Sequence, residues 1–332
     1  MALTRPDREG LSGTALPHCS SSRPVGSVYG AGSRRNPINR RIRGVMSARA
    51  RLIKGAMAAG LFAAIAGVPA PAATAVPTAA SAGASRAGEV FSNRVANFNV
   101  CNPCRVSNPS YHVDRIVNEI VKYKPQVIAL EEICVGETKR IVSKLRAKGY
   151  RYYTAHGSVS RTWWGCYEAG SAYGNAILSA APLTNKVNHR YAEGGSEPRG
   201  YVAADTTVAG KKVRVFATHL AQSGQSAVRA SEISELLRTV LGHRDAIVLG
   251  DFNADPKYSE MQPMWASFRD ADPACGPDQN RPPCQPTADA APYRKKFDYI
   301  FLRKTGSFTT PSAGVHANYS DHDLVHADLR TR

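Results

Sequence analysis

The chain has 332 residues, of which 43% are hydrophobic and 21% are charged, and its formal net charge is +17. This composition excludes a wholly disordered chain, because it contains enough apolar residues to bury a sizeable core. Residues 1–88 carry 12 Lys or Arg and two acidic residues, which leaves the remainder with a net charge of +7. The remainder is therefore moderately basic, a mild indication of a polyanionic partner.

The N-terminal region has the pattern of an export signal. Arg49, Arg51 and Lys54 precede an apolar run, and small residues follow it. A basic start, a short apolar centre and a small-residue cleavage site are typical of a secretory signal peptide, which we place at residues 46–75. The run is short and prolines soon follow it, so we expect no stable membrane span, with a membrane anchor as the alternative interpretation.

The rest of the chain is divided accordingly. Residues 1–45 precede Met46 and are interpreted as a mis-assigned N-terminal extension, and residues 76–88 are interpreted as an Ala-, Pro- and Ser-rich linker. We expect a single folded domain at residues 89–332. The predicted protein is a secreted monomer.

Predicted strands and helices follow one another along this domain. Helices are predicted where apolar residues recur at helical spacing, and Pro125 and Gly149 end the first two. In chain order we predict a strand at 94–100, a helix at 111–124, a strand at 126–133, a helix at 136–149, strands at 151–157, 173–179, 201–208 and 211–220, a helix at 226–242, and strands at 245–253, 297–302 and 324–329. Strands with a few interleaved helices and no internal repeat indicate an α/β or α+β sandwich.

Cysteine usage agrees with export. Six cysteines follow the predicted signal peptide, and an even number in an exported chain favours disulfide bonds. Cys275 and Cys284 lie in one proline-rich loop and are the favoured pair. Cys101 and Cys104 form a CxxC motif that is found in redox and zinc sites, but no second CxxC accompanies it, so zinc is disfavoured.

Several strands end in polar residues that core packing does not explain. In residues 246–256 an apolar strand runs directly into Asp251 and Asn253, whose side chains face the same side. An Asx-type turn is one interpretation of this pair, and a ligand-binding role is the other. Burial of unpaired carboxylates costs roughly several kcal/mol per ion, so we expect a metal or mutual pairing. Similar polar residues end or interrupt other strands: Asn99, Glu131, Glu132, His219, Asp298, Asp321 and His322.

In chain order these segments resemble the motifs of the endonuclease/exonuclease/phosphatase superfamily. This group includes pancreatic-type deoxyribonuclease, abasic-site endonucleases, inositol-polyphosphate phosphatases and bacterial sphingomyelinases. The segments between Arg94 and Arg330 are NFNV, ALEEI, YGNAILS, EPRG, THL, GDFNADP, DYIF and SDH. Their joint pattern is specific, although THL or SDH alone is not. The resemblance implies an α+β fold, a four-layer α/β-β/α sandwich of two mainly antiparallel sheets flanked by helices, with the site at one end.

The resemblance also implies a metal site. Asn99 and Glu132 are similar to the amide and carboxylate of the principal metal site, and Asp321 lies on the metal side. Glu131 stands where the family more often has Gln, and it is the competing ligand. Asp251 is expected both to contact the metal and to orient or deprotonate the attacking water.

Further residues resemble the family's catalytic groups. His322 is similar to the catalytic histidine, His219 to the second histidine, and Asp298 to the acid that orients a histidine or binds metal. Asn253 is expected to hold a phosphate oxygen. Two more residues fall where the family places phosphate contacts or site support: Arg199 and Asn175.

These residue types suit phosphodiester hydrolysis. The substrate is anionic, so hydrolysis needs charge neutralisation and an aligned water. Carboxylate and amide oxygens suit Mg²⁺ or Mn²⁺, with one ion or two. We therefore expect a secreted Mg²⁺-dependent phosphodiesterase with nucleic acid as its substrate. The alternatives are a sphingomyelinase-type phospholipase, an inositol-phosphate phosphatase, and a non-catalytic binding module with this fold.

Two further segments bear on the substrate. Trp163 and Trp164, with Tyr167, form either a stacking platform for a base, a lipid-facing wedge, or ordinary packing near Cys166. Residues 294–296, an Arg followed by two Lys, either contact a backbone phosphate or form a solvated charge run.

Overall fold

The computed structural model describes residues 88–101, 109–160, 166, 172–278, 284–290 and 292–332. The predicted extension, the signal peptide and residues 76–87 of the linker lie outside the described residues, so their interpretation stays a prediction. The same holds for four side chains named above: Cys104, Trp163, Trp164 and Tyr167.

The first sheet is built around a parallel pair of strands. Helix α1 (Pro109–Tyr123) connects β1 (Phe91–Asn99) to β2 (Pro125–Cys134), and such a crossover lets two consecutive strands run parallel. The other elements of this half are α2 (Val135–Ala147), β3 (Tyr153–Ser160), β4 (Tyr173–Ser179), β11 (Phe308–His316) and β12 (Leu324–Thr331). The strand order is β11-β12-β1-β2-β4-β3, and every pair except β1–β2 is antiparallel.

The second sheet repeats this plan. Helix α3 (Ser226–Val240) connects the parallel strands β7 (Lys211–His219) and β8 (Ala246–Asp251). The other elements are β5 (Thr184–Arg190), β6 (Gly200–Val208), a short 3₁₀ turn (Ser259–Met261), α4 (Gln262–Ser267), β9 (Phe268–Asp270) and β10 (Asp298–Arg303). The strand order is β5-β6-β7-β8-β10-β9, with the remaining pairs antiparallel.

The described part of the chain forms four layers. Alternate strand residues face opposite sides of a sheet, so Leu249 of β8 packs between the two sheets whereas Val248 packs against the helices. One apolar cluster lies between the sheets, a second joins the first sheet to α1 and α2, and a third joins the second sheet to α3 and α4. This arrangement confirms the predicted α+β sandwich.

The topology brings many strand ends to one end of the sandwich. The carboxyl ends of β1, β2, β7 and β8 lie there because each sheet has its parallel pair at the centre. The antiparallel neighbours contribute their first residues, since Asp298 pairs with Asp251 and Gly200 pairs with His219. A contact between Asn99 and Asp251 shows that these ends meet across the two sheets.

Two disulfides lie within the described residues. Cys275 bonds to Cys284, which confirms the favoured pair, and Cys134 bonds to Cys166. Cys101 is disulfide-bonded as well, which argues against a zinc ligand at that position. In the part of the chain that the structure describes, no helix combines the length and the apolar character needed to cross a membrane.

Candidate active site

An asparagine side chain joins the two sheets at the candidate site. Asn99 is the last residue of β1, and its Nδ2 donates to Asp251 Oδ2 at 3.1 Å and to Glu132 Oε1 at 3.3 Å. Its Oδ1 accepts from the backbone NH of Cys101 at 3.0 Å. A partly positive NH₂ group thus lies between two carboxylates from different sheets. The position is one where a cation would be electrostatically favoured.

A β-bulge separates the two glutamates of β2. The pairing between β2 and β4 shifts register here, so that Glu131 and Glu132 together oppose the single residue Asn175. Glu132 has a φ of +56°, a strained conformation for a residue other than Gly. Glu132 is partly exposed beside Asn99, whereas Glu131 is fully buried and neither of its oxygens has a hydrogen bond among the described residues. The bulge therefore places only Glu132 at the mouth of the site.

Asp251 forms an Asx-type turn and faces the site at the same time. Its Oδ1 accepts from the Asn253 backbone NH at 2.8 Å, while its Oδ2 faces Asn99 and His219. The Asx-type turn is therefore present, and it leaves Oδ2 facing the candidate site. The glycine before it has a steric reason, because a Cβ at Gly250 would lie 2.1 Å from the carbonyl oxygen of Thr218 on the neighbouring strand.

His322 and Asp298 form a buried pair. His322 Nδ1 lies 2.9 Å from Asp298 Oδ2, and His322 Nε2 lies 3.7 Å from Asp251 Oδ2. Since a carboxylate only accepts, Nδ1 carries a proton. Asp298 is held in turn, because its backbone NH donates to Thr287 Oγ1 at 3.0 Å and Asn97 Nδ2 donates to its Oδ1 at 3.4 Å. The imidazole is thereby directed with Nε2 towards Asp251.

His219 lies between Arg199 and Asp251. Arg199 Nη1 lies 3.3 Å from His219 Nδ1, and a guanidinium can only donate, so Nδ1 is the acceptor and Nε2 carries the proton. His219 Nε2 donates to Asp251 Oδ2 at 3.2 Å, and the neighbouring Asn253 Nδ2 donates to the Leu220 carbonyl at 3.1 Å. Arg199 is buried and has two further polar contacts on the same side: Glu197 at 3.1 Å and Gln222 at 3.2 Å.

The charges of this cluster depend on one another. Burial alone would raise the pKa of Asp251, but the charge of His322 and the hydrogen bond from His219 hold it well below its ordinary value. Burial alone would lower the pKa of His322, but Asp298 and Asp251 raise it well above its ordinary value. At neutral pH the site therefore contains an ionised Asp251 beside an imidazolium.

His219 and the partly exposed Glu132 behave differently. Burial and the charge of Arg199 lower the pKa of His219, which keeps this imidazole neutral at neutral pH. Burial raises the pKa of Glu132 to about 7, and repulsion from Asp321 adds to this increase against the attraction of Arg199. A cation bound beside Glu132 would favour its ionised form and lower this pKa.

Four of the predicted metal ligands fit a hard cation. Asn99, Glu132, Asp251 and Asp321 offer only oxygen donors once the Asn99 amide turns its Oδ1 inward, and such donors suit Mg²⁺ or Mn²⁺. Asp321 precedes β12 and faces Glu132 closely enough to raise its pKa. These residues could therefore hold the predicted ion.

A second group of possible ligand atoms lies deeper. One ligand atom each from Asp251, Asp298 and His322 lies within 4.8 Å of the others. In this group His322 Nδ1 is already bonded to Asp298, so an ion there would compete with the buried pair. The outer set of oxygen donors is the better candidate.

The remaining predicted site residues have supporting contacts. Asn175 of β4 donates from Nδ2 to the Gly200 carbonyl at 2.9 Å and so links the two sheets. Arg199 contacts His219 as described above. The sequence interpretation missed Asn97, Thr287 and Gln222, which hold Asp298 and Arg199. Asn97 had a sequence signal, because it lies two residues before Asn99 on the same face of β1, whereas Thr287 and Gln222 lie in loops without one.

Comparisons with known proteins agree with this fold. The sequence model of the endonuclease/exonuclease/phosphatase family matches residues 96–322. The chain is similar to D. rerio TDP2 complexed with single strand DNA product, with a TM-score of 0.55, 20% identity, and coverage of 72% of this chain and 98% of that chain. It is similar to the human nocturnin catalytic domain with bound sulfate, with a TM-score of 0.57, 20% identity, and coverage of 72% and 93%.

A bacterial structure gives a comparable match. It is a protein of the endonuclease/exonuclease/phosphatase family from Leptotrichia buccalis, with a TM-score of 0.57, 15% identity, and coverage of 71% of this chain and 99% of that chain. No curated protein matches the sequence. At these identities the structural likeness concerns the fold alone.

Proposed function

Because the chain belongs to the endonuclease/exonuclease/phosphatase family, whose members are hydrolases and mostly phosphoesterases, we propose that it is a secreted Mg²⁺-dependent phosphodiesterase that hydrolyses nucleic acid. One observation carries the proposal. Asp251 is fully buried within hydrogen-bonding distance of Asn99 and His219, and it faces the imidazole of His322. This is the arrangement that an anionic phosphodiester and an attacking water need.

Asp251 is the candidate base. Its depressed pKa keeps the carboxylate ionised at neutral pH, so it can accept a hydrogen bond from a water and then its proton. Asn253 and the neutral His219 present NH groups beside it. These donors can bind a non-bridging oxygen of the phosphate and fix its orientation towards the water.

His322 supplies positive charge and a proton. Asp298 fixes its Nδ1, so Nε2 is the atom that faces the reaction centre. As an imidazolium it stabilises the charge that develops on the phosphate, and it can donate its Nε2 proton to the leaving oxygen. The proton that Asp251 accepts from the water then restores the imidazolium. Bound at Asn99, Glu132, Asp251 and Asp321, a Mg²⁺ ion would supply charge neutralisation of the phosphate.

Export and substrate are supported by separate observations. The predicted signal peptide at residues 46–75 and the described disulfides support secretion, since disulfides persist in oxidising compartments. Nucleic acid is supported by the basic remainder of the chain and by the fold shared with D. rerio TDP2, which was solved with a single strand DNA product.

A substrate panel tests the proposal. Purified wild type and His322→Ala are each incubated with plasmid DNA, RNA, sphingomyelin and an inositol phosphate, in Mg²⁺ and in EDTA. We expect Mg²⁺-dependent cleavage of nucleic acid that falls by roughly 10²-fold or more in the variant, as loss of a general acid–base group does. Turnover of the lipid or the inositol phosphate alone would show that this compound, and not nucleic acid, belongs to the substrate class. Absence of any turnover would overturn the catalytic proposal.

A further inference from the structure

A basic cavity lies beside the candidate active site. It has a volume of about 160 Å³, and its charged lining consists of Lys257, Arg294, Lys295, Lys296 and one carboxylate, Asp255. This volume is many times the roughly 10–15 Å³ that admits one water. It is below the roughly 300–1,000 Å³ of sites that enclose a whole small molecule. The cavity therefore has the size for a hydrated phosphate group rather than for a complete ligand.

Lys295 keeps donors for an anion in the basic cavity. Lys296 pairs with the buried Asp270 at 3.1 Å, and Arg294 pairs with Asp289 and Asp323. Lys295 Nζ donates to the hydroxyl of Tyr258 at 2.8 Å, and a phenol does not neutralise its charge. An ammonium has three donors, so Lys295 can also bind a phosphate oxygen.

The backbone connects the basic cavity to the catalytic residues. Ala288 forms a bridge with Lys295 on one side and with His322 on the other. Adjacent strands lie about 4.7–4.9 Å apart, so the backbones of Lys295 and His322 are separated by about 10 Å. A stacked strand advances about 3.4 Å per nucleotide. A substrate strand held at His322 would thus place another of its phosphates at the cavity within about three nucleotides.

An exposed aromatic side chain adjoins these cations. Tyr293 directly precedes Arg294 and is 77% exposed, more than any other large hydrophobic residue among those the structure describes. Exposed aromatic rings interleaved with basic residues are the usual platform for the bases of a single strand. Tyr258 adds a second ring to the cluster, with Lys295 Nζ 5.5 Å from its centroid.

We propose that the basic cavity and Tyr293 form a subsite for single-stranded nucleic acid. Lys295 binds a phosphate up to about three nucleotides from the scissile one, and Tyr293 stacks on a base. The subsite rests on the proposed function and gives it a substrate preference, because one small phosphate-sized cavity beside a single exposed ring suits a strand better than an inositol phosphate or a lipid surface.

Binding without turnover tests the subsite directly. The affinity of the full chain for a fluorescein-labelled oligothymidylate is measured by anisotropy in EDTA at several salt concentrations. Lys295→Gln is expected to weaken binding about three- to tenfold and to reduce the slope of log K against log salt by about 0.7, the value for one single-strand phosphate contact. Tyr293→Ala is expected to weaken binding about tenfold with an unchanged slope.

Two matched variants serve as controls. Lys212 is exposed near the start of β7 and Tyr153 is 38% exposed at the start of β3, and both lie at the other end of the sandwich. Lys212→Gln and Tyr153→Ala are expected to bind within about twofold of wild type. Failure of the wild type to bind, or equal effects of site and control variants, would overturn the subsite. Tyr293-dependent binding of sphingomyelin vesicles would overturn it as well.

A small substrate separates this inference from the proposed function. Methyl p-nitrophenyl phosphate has neither a second phosphate nor a base, so Lys295→Gln and Tyr293→Ala are expected to hydrolyse it at the wild-type rate in Mg²⁺. Hydrolysis by the wild type without oligonucleotide binding would overturn the subsite and leave the proposed function intact. Binding with the expected variant effects, but without hydrolysis of any substrate, would support the subsite and overturn the proposed function.

Discussion

Asp251 receives hydrogen bonds from both sheets, and the charge of His322 depends on it. His322 faces two carboxylates, Asp251 and Asp298, which together overcome the effect of burial and raise its pKa. If the imidazolium is the active form, activity is present below this raised pKa and is lost as the pH rises through it. The position of the alkaline limb of the pH profile is then set by these carboxylates.

Asp298→Asn tests this dependence. The amide keeps a similar shape but removes a negative charge 2.9 Å from His322 Nδ1, so the pKa of His322 is expected to fall. The alkaline limb of kcat/KM for a small phosphodiester should therefore move to lower pH, by about one unit or more. The pH profile and the NMR titration of the His322 ring measure the shift. An unmoved alkaline limb in a folded variant would contradict this role for the pair.

The two adjacent glutamates are expected to respond in opposite ways. Glu132→Gln removes a proposed ligand, so Mg²⁺ binding measured by calorimetry should be lost together with activity. Glu131→Gln should retain Mg²⁺ binding, because Glu131 is buried away from the mouth of the site. Loss of Mg²⁺ binding in Glu131→Gln alone would reverse the assignment.

The stability of Glu131→Gln has a predicted pH dependence. Burial, together with Asp298 and Asp251, raises the pKa of Glu131 well above its ordinary value. The native state then binds a proton that the unfolded chain releases above about pH 4.5, so Glu131 lowers the free energy of unfolding increasingly as the pH rises. In EDTA, the midpoint of thermal unfolding of Glu131→Gln should exceed that of wild type at pH 8, by a margin that narrows towards pH 5.

At the level of elements, β3 carries a partly buried histidine that should make the fold sensitive to acid. His156 Nε2 donates to the Ile133 carbonyl at 3.1 Å, and Ser158 Oγ lies 3.3 Å from its Nδ1. Burial lowers the pKa of His156 from 6.5 to about 4. The unfolded chain therefore takes up a proton at a higher pH than the native state does. The resulting contribution to stability is full above pH 6.5 and is lost as the pH falls towards 4.

His156→Gln should reduce this sensitivity, because the Gln amide can donate to the same carbonyl and does not titrate. Between pH 7.5 and pH 5, wild type should lose about 2 kcal/mol more free energy of unfolding than the variant, from about 1.4 kcal/mol per pH unit. Urea unfolding at the two pH values measures the difference. Equal losses in both proteins would show that His156 is protonated in the native state.

Elements with a regular apolar pattern were predicted from the sequence, and elements without one were missed. The three long helices and the strands of the two sheet centres were predicted because their apolar residues are buried at regular spacing. β5 was missed because its sequence is polar and six of its seven residues are exposed. β11 was missed because it contains Pro311, which is tolerated on this edge strand where the pairing shifts register between Thr309 and Ser312.

The candidate site was largely predictable because polar residues at the ends of apolar strands stand out from core composition. The choice between Glu131 and Glu132 was not predictable, since it depends on a bulge that changes which side chain faces the site. Thr287 was not predictable either, because its contact with Asp298 depends on how a loop folds back beside His322.

At the scale of the whole molecule, the site is divided between the two sheets. Asn99 and Glu132 belong to the first sheet, and His219, Asp251 and Asp298 belong to the second. Their distances from one another therefore depend on how the inner faces of the sheets pack. The helices cover the outer faces and have no direct part in this spacing.

A matched pair of leucines tests this dependence. Leu249 and Leu130 are both fully buried, and each lies two residues before a carboxylate of the site, but Leu249 packs between the sheets and Leu130 packs against the helices of the first sheet. Each Leu→Ala change should cost about 2–5 kcal/mol of stability.

The two variants should differ in activity although their stabilities are similar. In Leu249→Ala the cavity lies between the sheets and lets Asp251 shift relative to Asn99, and a misplacement of about 1 Å can cost roughly 10²-fold in rate. In Leu130→Ala the cavity lies on the outer side, so the spacing of the sheets and most of the activity should be retained. The turnover of a small phosphodiester by the two variants is compared at a temperature well below both unfolding midpoints. Equal losses of activity would mean that local strand geometry, and not the packing between the sheets, positions the catalytic groups.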